Sequence, residues 1–212
     1  MHVNPYIFTA TVILIIVYFV MRRKRLAAEG GLAKPKKPSV APPVSAPKPP
    51  KPEKSPEEVF KDLRRNALAT SPDSVGGAGQ FAPDEPYGGL MEMWLSDSIV
   101  SLACFANGEA SFVFNTGGGM TGGGVHEPVR KAAQAFVGVA QKAMPAMSPA
   151  TDQPLPARDH VRFYILTPHG VHTVETDRET LSQESGGALA ALFYAGQEVV
   201  AQMRKIQEQR TR

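Results

Sequence analysis

Cysteine is nearly absent: Cys104 is the single one in 212 residues, so no disulfide can form within the chain. That excludes a disulfide-stapled scaffold and fits a reducing compartment. No C-x-x-C, H-x-x-x-H or G-x-S-x-G spacing occurs, and no Gly-Lys-Ser/Thr follows a glycine-rich stretch. The common zinc spacings, a nucleophile elbow and a Walker phosphate loop are therefore excluded, and no cofactor or metal is expected. Positive charge is scarce where nucleic acid would need it. The chain holds 23 Lys+Arg and 20 Asp+Glu; residues 1–54 take 10 and 2 of these, leaving 13 and 18 for residues 55–212. An acidic domain lacks the clustered cationic face that a phosphate backbone requires, so no nucleic-acid partner is expected.

What is present reads as three parts: a signal-anchor helix with a basic flank (1–25), a Pro/Lys-rich tether (26–56) and an α+β domain (57–212). Tyr6 to Met21 is uncharged and holds ten Ile, Leu, Val or Phe. At roughly 0.3 to 0.6 kcal/mol each, these favour insertion by about 3 to 6 kcal/mol. The run reaches the length of a spanning helix by including Val3 to Pro5, with Arg22 and Arg23 snorkelling. A cleavable signal peptide is the rival reading, but it places its charges before the apolar run, and here Arg22-Arg23-Lys24-Arg25 follows it. The membrane is thus an expected partner through residues 3–21. By the positive-inside rule the protein is expected in the inner (plasma) membrane as a single-pass protein, its C-terminal domain cytoplasmic.

The tether has nine prolines between Lys34 and Pro56. It favours extended polyproline II and reaches ~60 to 70 Å. It reads as a solvated spacer, with a lipid-hugging basic segment or a ligand for an SH3-like domain as alternatives. The plan of anchor, linker and small domain is similar to that of TonB-like proteins, with the opposite inferred orientation.

In the domain, Ser55-Pro56-Glu57-Glu58 is a helix start with a capping box, and Val59, Phe60, Leu63 and Ala67 share one face of a helix running to about Ala69. Ser71 to Gly89 reads as loop and Leu90 to Leu95 as a strand. Asn107-Gly108 predicts a two-residue hairpin turn between Val100–Ala106 and Ala110–Asn115. Ala106 would then face Glu109. Ser101, Ala103, Phe105, Ala110, Phe112 and Phe114 would form the core face, while Leu102, Cys104 and Val113 would lie on a half-polar outer face. Helical spacing continues over Glu127–Met144 and Ala188–Gln207. A second hairpin turns at Pro168-His169-Gly170, between His160–Thr167 and Val171–Thr176. The expected fold is α-βββ-α-ββ-α, an antiparallel sheet with helices on one face.

That order resembles type III secretion chaperones and the related YbjN-like proteins, whose helices cover one face of a five-stranded antiparallel sheet; a roadblock or longin-like domain is the near neighbour. Residues 60 to 204 also resemble a family of uncharacterised bacterial proteins. The residues that carry the likeness are Ala67 to Pro72, Thr116-Gly117-Gly118-Gly119-Met120-Thr121-Gly122-Gly123-Gly124, His126-Glu127-Pro128-Val129-Arg130, Arg162 to Thr167, Gly170-Val171 and Ala195 to Val199. The family implies no activity and no site.

The glycine loop leaves a strand and enters a helix, the position of phosphate-cradling loops. Gly117, Gly119 and Gly122 satisfy G-x-G-x-x-G, but an antiparallel hairpin precedes them and no acidic strand end follows, so the dinucleotide reading fails in context. A hinge or a tight backbone approach is the plainer role. His126 and Glu127 form a candidate acid/base pair, with Arg130 nearby for an anion; a cap or surface role is the simple alternative. Two functions stay open: a membrane-tethered cytoplasmic protein-binding or adaptor domain, and a small-ligand sensor or enzyme using Gly117, Gly119, Gly122, His126, Glu127 and Arg130. The first would use Leu102, Cys104 and Val113 to dock a protein partner or a second copy.

Overall fold

The computed structural model describes residues 54–77, 79–183 and 187–210. The chain enters with α1 (Pro56–Leu68), whose N-cap Ser55 and Glu58 close the capping box reciprocally at 3.2 and 2.7 Å. A short α2 (Pro72–Gly76) follows. Then come β1 (Gly88–Leu95), β2 (Ser98–Phe105), β3 (Ala110–Phe114) and a two-residue β4 (Gly119–Met120). After a 3-10 turn come α3 (Glu127–Ala143), a two-residue β5 (Ser148–Pro149), β6 (His160–Thr167), β7 (Gly170–Asp177), α4 (Arg178–Ser182) and α5 (Gly187–Arg210). The seven strands form one antiparallel sheet in the order β4-β3-β2-β1-β6-β7-β5. Its two outermost strands are two-residue bridges, which pair with Phe112 and Val113 on one edge and with His172 and Thr173 on the other.

The fold is α+β with an antiparallel sheet, and two parts of the expected fold class need correction. Among the described residues no helix is long and apolar enough to cross a membrane. The expected spanning run at residues 3–21 and the tether up to residue 53 lie outside the described residues, so the fold class is corrected to what the described residues show, an α+β domain. Helices on one face is the second correction, because both faces of the sheet are covered. Beneath α3 and α5 lie Met91, Met93, Val100, Leu102, Cys104, Val161, Phe163 and Ile165. On the opposite face α1 and the 70–87 connection cover Leu90, Ile99, Ala103, Val113, Tyr164 and Leu166. Central β1 is buried on both sides from Gly88 to Met93.

The first hairpin shows why the faces exchange. Phe105 N–H donates to Glu109 O at 2.9 Å and Gly108 N–H to Phe105 O at 2.8 Å. The loop therefore has three residues, with Gly108 at φ +86°. That is a turn with a glycine bulge rather than a two-residue turn. Cys104 now faces Ala110 and Leu102 faces Phe112, a slip of one residue from the expected register, which sends every side chain of a strand to the other face. Gly108 also lies under the stem of Arg130, whose Cβ would stand 3.1 Å from any side chain placed there. The second hairpin has Pro168 and His169 as its loop, with Thr167 paired to Gly170.

Candidate functional site

The glycine loop is built for close packing. Gly117, Gly118, Gly119 and Gly122 have φ of +91°, +88°, +130° and +67°, conformations that side-chain-bearing residues rarely adopt. β4 folds Gly119 back against Val113; a Cβ on Gly119 would collide with the Phe112 carbonyl oxygen and stand 2.8 Å from Val113 Cα. One on Gly123 would meet Met203 Cε and Val129 Cγ1 at 2.9 Å, and one on Gly124 would meet Glu109 Oε1 at 2.8 Å. The chain's own atoms occupy the space around Gly119, Gly123 and Gly124, whereas Gly122 faces open space.

The structure brings His126, Glu127 and Arg130 together at the start of α3. His126 is the N-cap residue, but its side chain makes no cap hydrogen bond. Its Nε2 instead lies 2.9 Å from an Arg210 guanidinium nitrogen in the last turn of α5. Glu127 complements the positive end of the helix dipole and forms ion pairs with Arg130 and, at 3.3 Å, Lys131. The two cations that an anionic ligand would use are thus engaged within the first turn and a half of α3. Among the described residues no three His, Cys, Asp or Glu side chains converge as a metal site.

Leu102, Cys104 and Val113 do not form an outer face, which corrects the expected docking surface. Leu102 and Cys104 are fully buried under α3 and α5. Val113 points to the other side of the sheet and packs with Phe60 and Ile99. Burial pushes the Cys104 thiol pKa far up.

A different cluster lies under α1. Glu92, on central β1, is completely buried. Arg64 of α1 forks onto it, with Nε at 2.8 and 3.1 Å from the two carboxylate oxygens and a terminal nitrogen at 3.0 Å. Ser101 Oγ donates to Glu92 Oε1 at 2.9 Å from the neighbouring strand. The guanidinium stands 5.4 Å over the Tyr164 ring and donates to Pro154 O at 3.2 Å. Tyr164 Oη donates to the same carbonyl at 2.5 Å. Burial works against the charge on Arg64, but the hydrogen bond and charge of Glu92 outweigh it and raise the guanidinium pKa. Tyr164 is raised as well, chiefly by burial.

The 150–157 segment walls this cluster on one side. Trp94 Nε1 donates to Pro156 O at 2.8 Å. Arg162 pairs with Glu175 at 2.5 Å, and Ala157 N–H donates to the other Glu175 oxygen at 2.6 Å. The signal for the cluster is visible in the strand Leu90-Met91-Glu92-Met93-Trp94-Leu95, where one carboxylate stands on the same face as Leu90 and Trp94. Arg64 likewise falls inside the apolar stripe of α1, between Phe60, Leu63 and Leu68. A charge of each sign in two apolar faces is a pattern that only pairing makes affordable. Comparison with protein families, characterised proteins and solved structures finds no match to this chain.

Proposed function

We propose that the domain is a protein-binding or adaptor module and that its binding surface is the sheet face beneath α1. The observation that carries this reading is the narrow docking of that helix. Of its thirteen residues only Phe60 and Leu68 are fully buried, against seven in α3. Burial of two large side chains contributes about 3 to 6 kcal/mol. Leu63 and Ala67 add partial packing, so α1 is held down by a narrow apolar stripe, its caps and the Arg64–Glu92 pair. A helix held so lightly over an apolar sheet face is suited to exchange for a helix of another protein.

In-cell crosslinking tests the reading. A photo-reactive benzoylphenylalanine placed at Ile99, under α1, in the full chain is expected to yield adducts with another polypeptide. The same group at Phe163, under α3 and α5, should give crosslinks within the chain alone. Adducts from Ile99 that join it only to α1 would overturn the reading.

A further inference from the structure

The geometry points to a partner of stated chemistry for this face: an amphipathic helix that carries one arginine, for which α1 is the resident occupant. The inference rests on reading the domain as a binding module and adds to it a rule of selection. The floor of the groove supplies the rule. Glu92 is fully buried, sits on a central strand and receives only the Ser101 hydroxyl from the sheet itself. Any helix that covers this face in place of α1 desolvates the carboxylate as α1 does, so it must bring a cation. Two features make that cation an arginine. The carboxylate is gripped as a fork by Nε and a terminal nitrogen, a geometry that an ammonium cannot reproduce. The planar group also stacks over Tyr164 while reaching Pro154 O.

The apolar subsites set the spacing. Phe60 fills the position against Ile99 and Val113, and Leu68 the position against Tyr87, Leu90, Ala103 and Leu166. Leu63 and Arg64 lie between them. The groove therefore reads an aromatic residue, Leu-Arg three and four positions on, and Leu eight positions on, which is one stripe of a helix.

Peptide binding to the full chain tests this. The probe is a fluorescent peptide of residues 55–69, compared with the same peptide carrying Arg64→Lys. The receptor is the full chain carrying Arg64→Gln, which weakens the resident helix. The receptor should bind the natural peptide about tenfold or more tightly than the lysine peptide. The unmodified chain should bind neither at the same concentrations, because its own α1 competes at millimolar effective concentration. Equal binding of the two peptides, or none, would overturn the inference, as would a receptor that dimerises through its own arginine-less α1. A second receptor, Phe60→Ala, covers the case of misfolding. If both receptors expose Cys104 to a thiol reagent at once, α1 is an inseparable part of the core and the inference fails. Peptide selectivity without partner adducts from Ile99 would fault only the binding-module reading. Adducts without selectivity would fault only the arginine rule.

Discussion

Arg64 and Glu92, 28 residues apart, are joined by three hydrogen bonds between a guanidinium on a helix with two buried residues and a carboxylate with no exposed surface. The pair is asymmetric. Arg64 stands at the rim, 13% exposed, and can swing toward water if its partner is lost, whereas Glu92 is fixed to the middle of β1. Arg64→Met should therefore cost about 3 kcal/mol or more, the cost of stranding a buried charge, and Glu92→Gln should cost less. The double variant Arg64→Met/Glu92→Leu should recover most of the loss, since apolar replacements of a buried pair are often neutral. Urea unfolding read by the single tryptophan, Trp94, measures all three. A double variant no better than Arg64→Met would show that the pair is not the coupled unit described here.

The glycines of the 117–124 loop separate by what surrounds them. Gly122 needs a left-handed backbone but has open space where a side chain would go, so Gly122→Ala should cost about 1 to 2 kcal/mol. Gly119 has φ +130° and the β3 backbone against it, so Gly119→Ala should cost about 3 kcal/mol or more by displacing β4. Thermal unfolding of the two variants should rank them in that order. The reverse order would mean that the loop is not held by its packing on Phe112 and Val113.

These variants also mark how far the fold can be read before the structure. Capping at Ser55 and Glu58, the stripe of α3 from Val129 to Ala140 and the hairpin at Asn107-Gly108 are local, and local chemistry shows them. Register is not local. One extra loop residue at Ala106 separates a hidden Leu102 from an exposed one, and the turn that carries it lies against Arg130, far along the chain. Periodicity puts Val59, Phe60, Leu63 and Ala67 on one face, yet Val59 is exposed and Leu68 is buried in its stead, and periodicity does not show toward which side of the sheet that face turns. The glycine loop advertises a ligand site that its packing explains otherwise, whereas Arg64–Glu92 was legible only as two charges out of place. The β4 and β5 bridges, at two residues each, are too short for any alternation to appear.

Cys104 should behave as a core residue. Its side chain is fully buried beneath α3 and α5, and burial drives its thiol pKa far up, so neither access nor ionisation favours reaction. In native buffer an aromatic disulfide reagent should label it no faster than the domain opens, and labelling should become immediate in urea. Because α1 lies on the opposite face, Arg64→Gln should leave native labelling slow. Rapid labelling of the unmodified chain would place Cys104 near a path from solvent that the packing does not show.

Acid should loosen α1 before the rest of the domain. Glu58 has its pKa lowered by the Ser55 backbone hydrogen bond, and Asp62 by its hydrogen bond with Lys54. Asp177, which caps α4 through Thr180 N–H at 2.7 Å, is lowered by that bond. Each carboxyl binds a proton less readily in the folded chain than in the unfolded one. Their contribution is thus complete above the ordinary carboxylate range, and it is lost as the pH falls through the lowered folded values. Two of the three serve the first turns of α1, the helix with the fewest buried residues to compensate. Hydrogen exchange between pH 6 and about pH 2.5, corrected for intrinsic rates, should show protection falling first over residues 59–68 and last in α3. Glu58→Gln should flatten that fall in α1 alone, and Asp177→Asn should flatten the change near α4 alone. Uniform loss of protection across α1, α3 and α4 would mean that α1 does not open separately, and would remove the basis for treating it as an exchangeable helix.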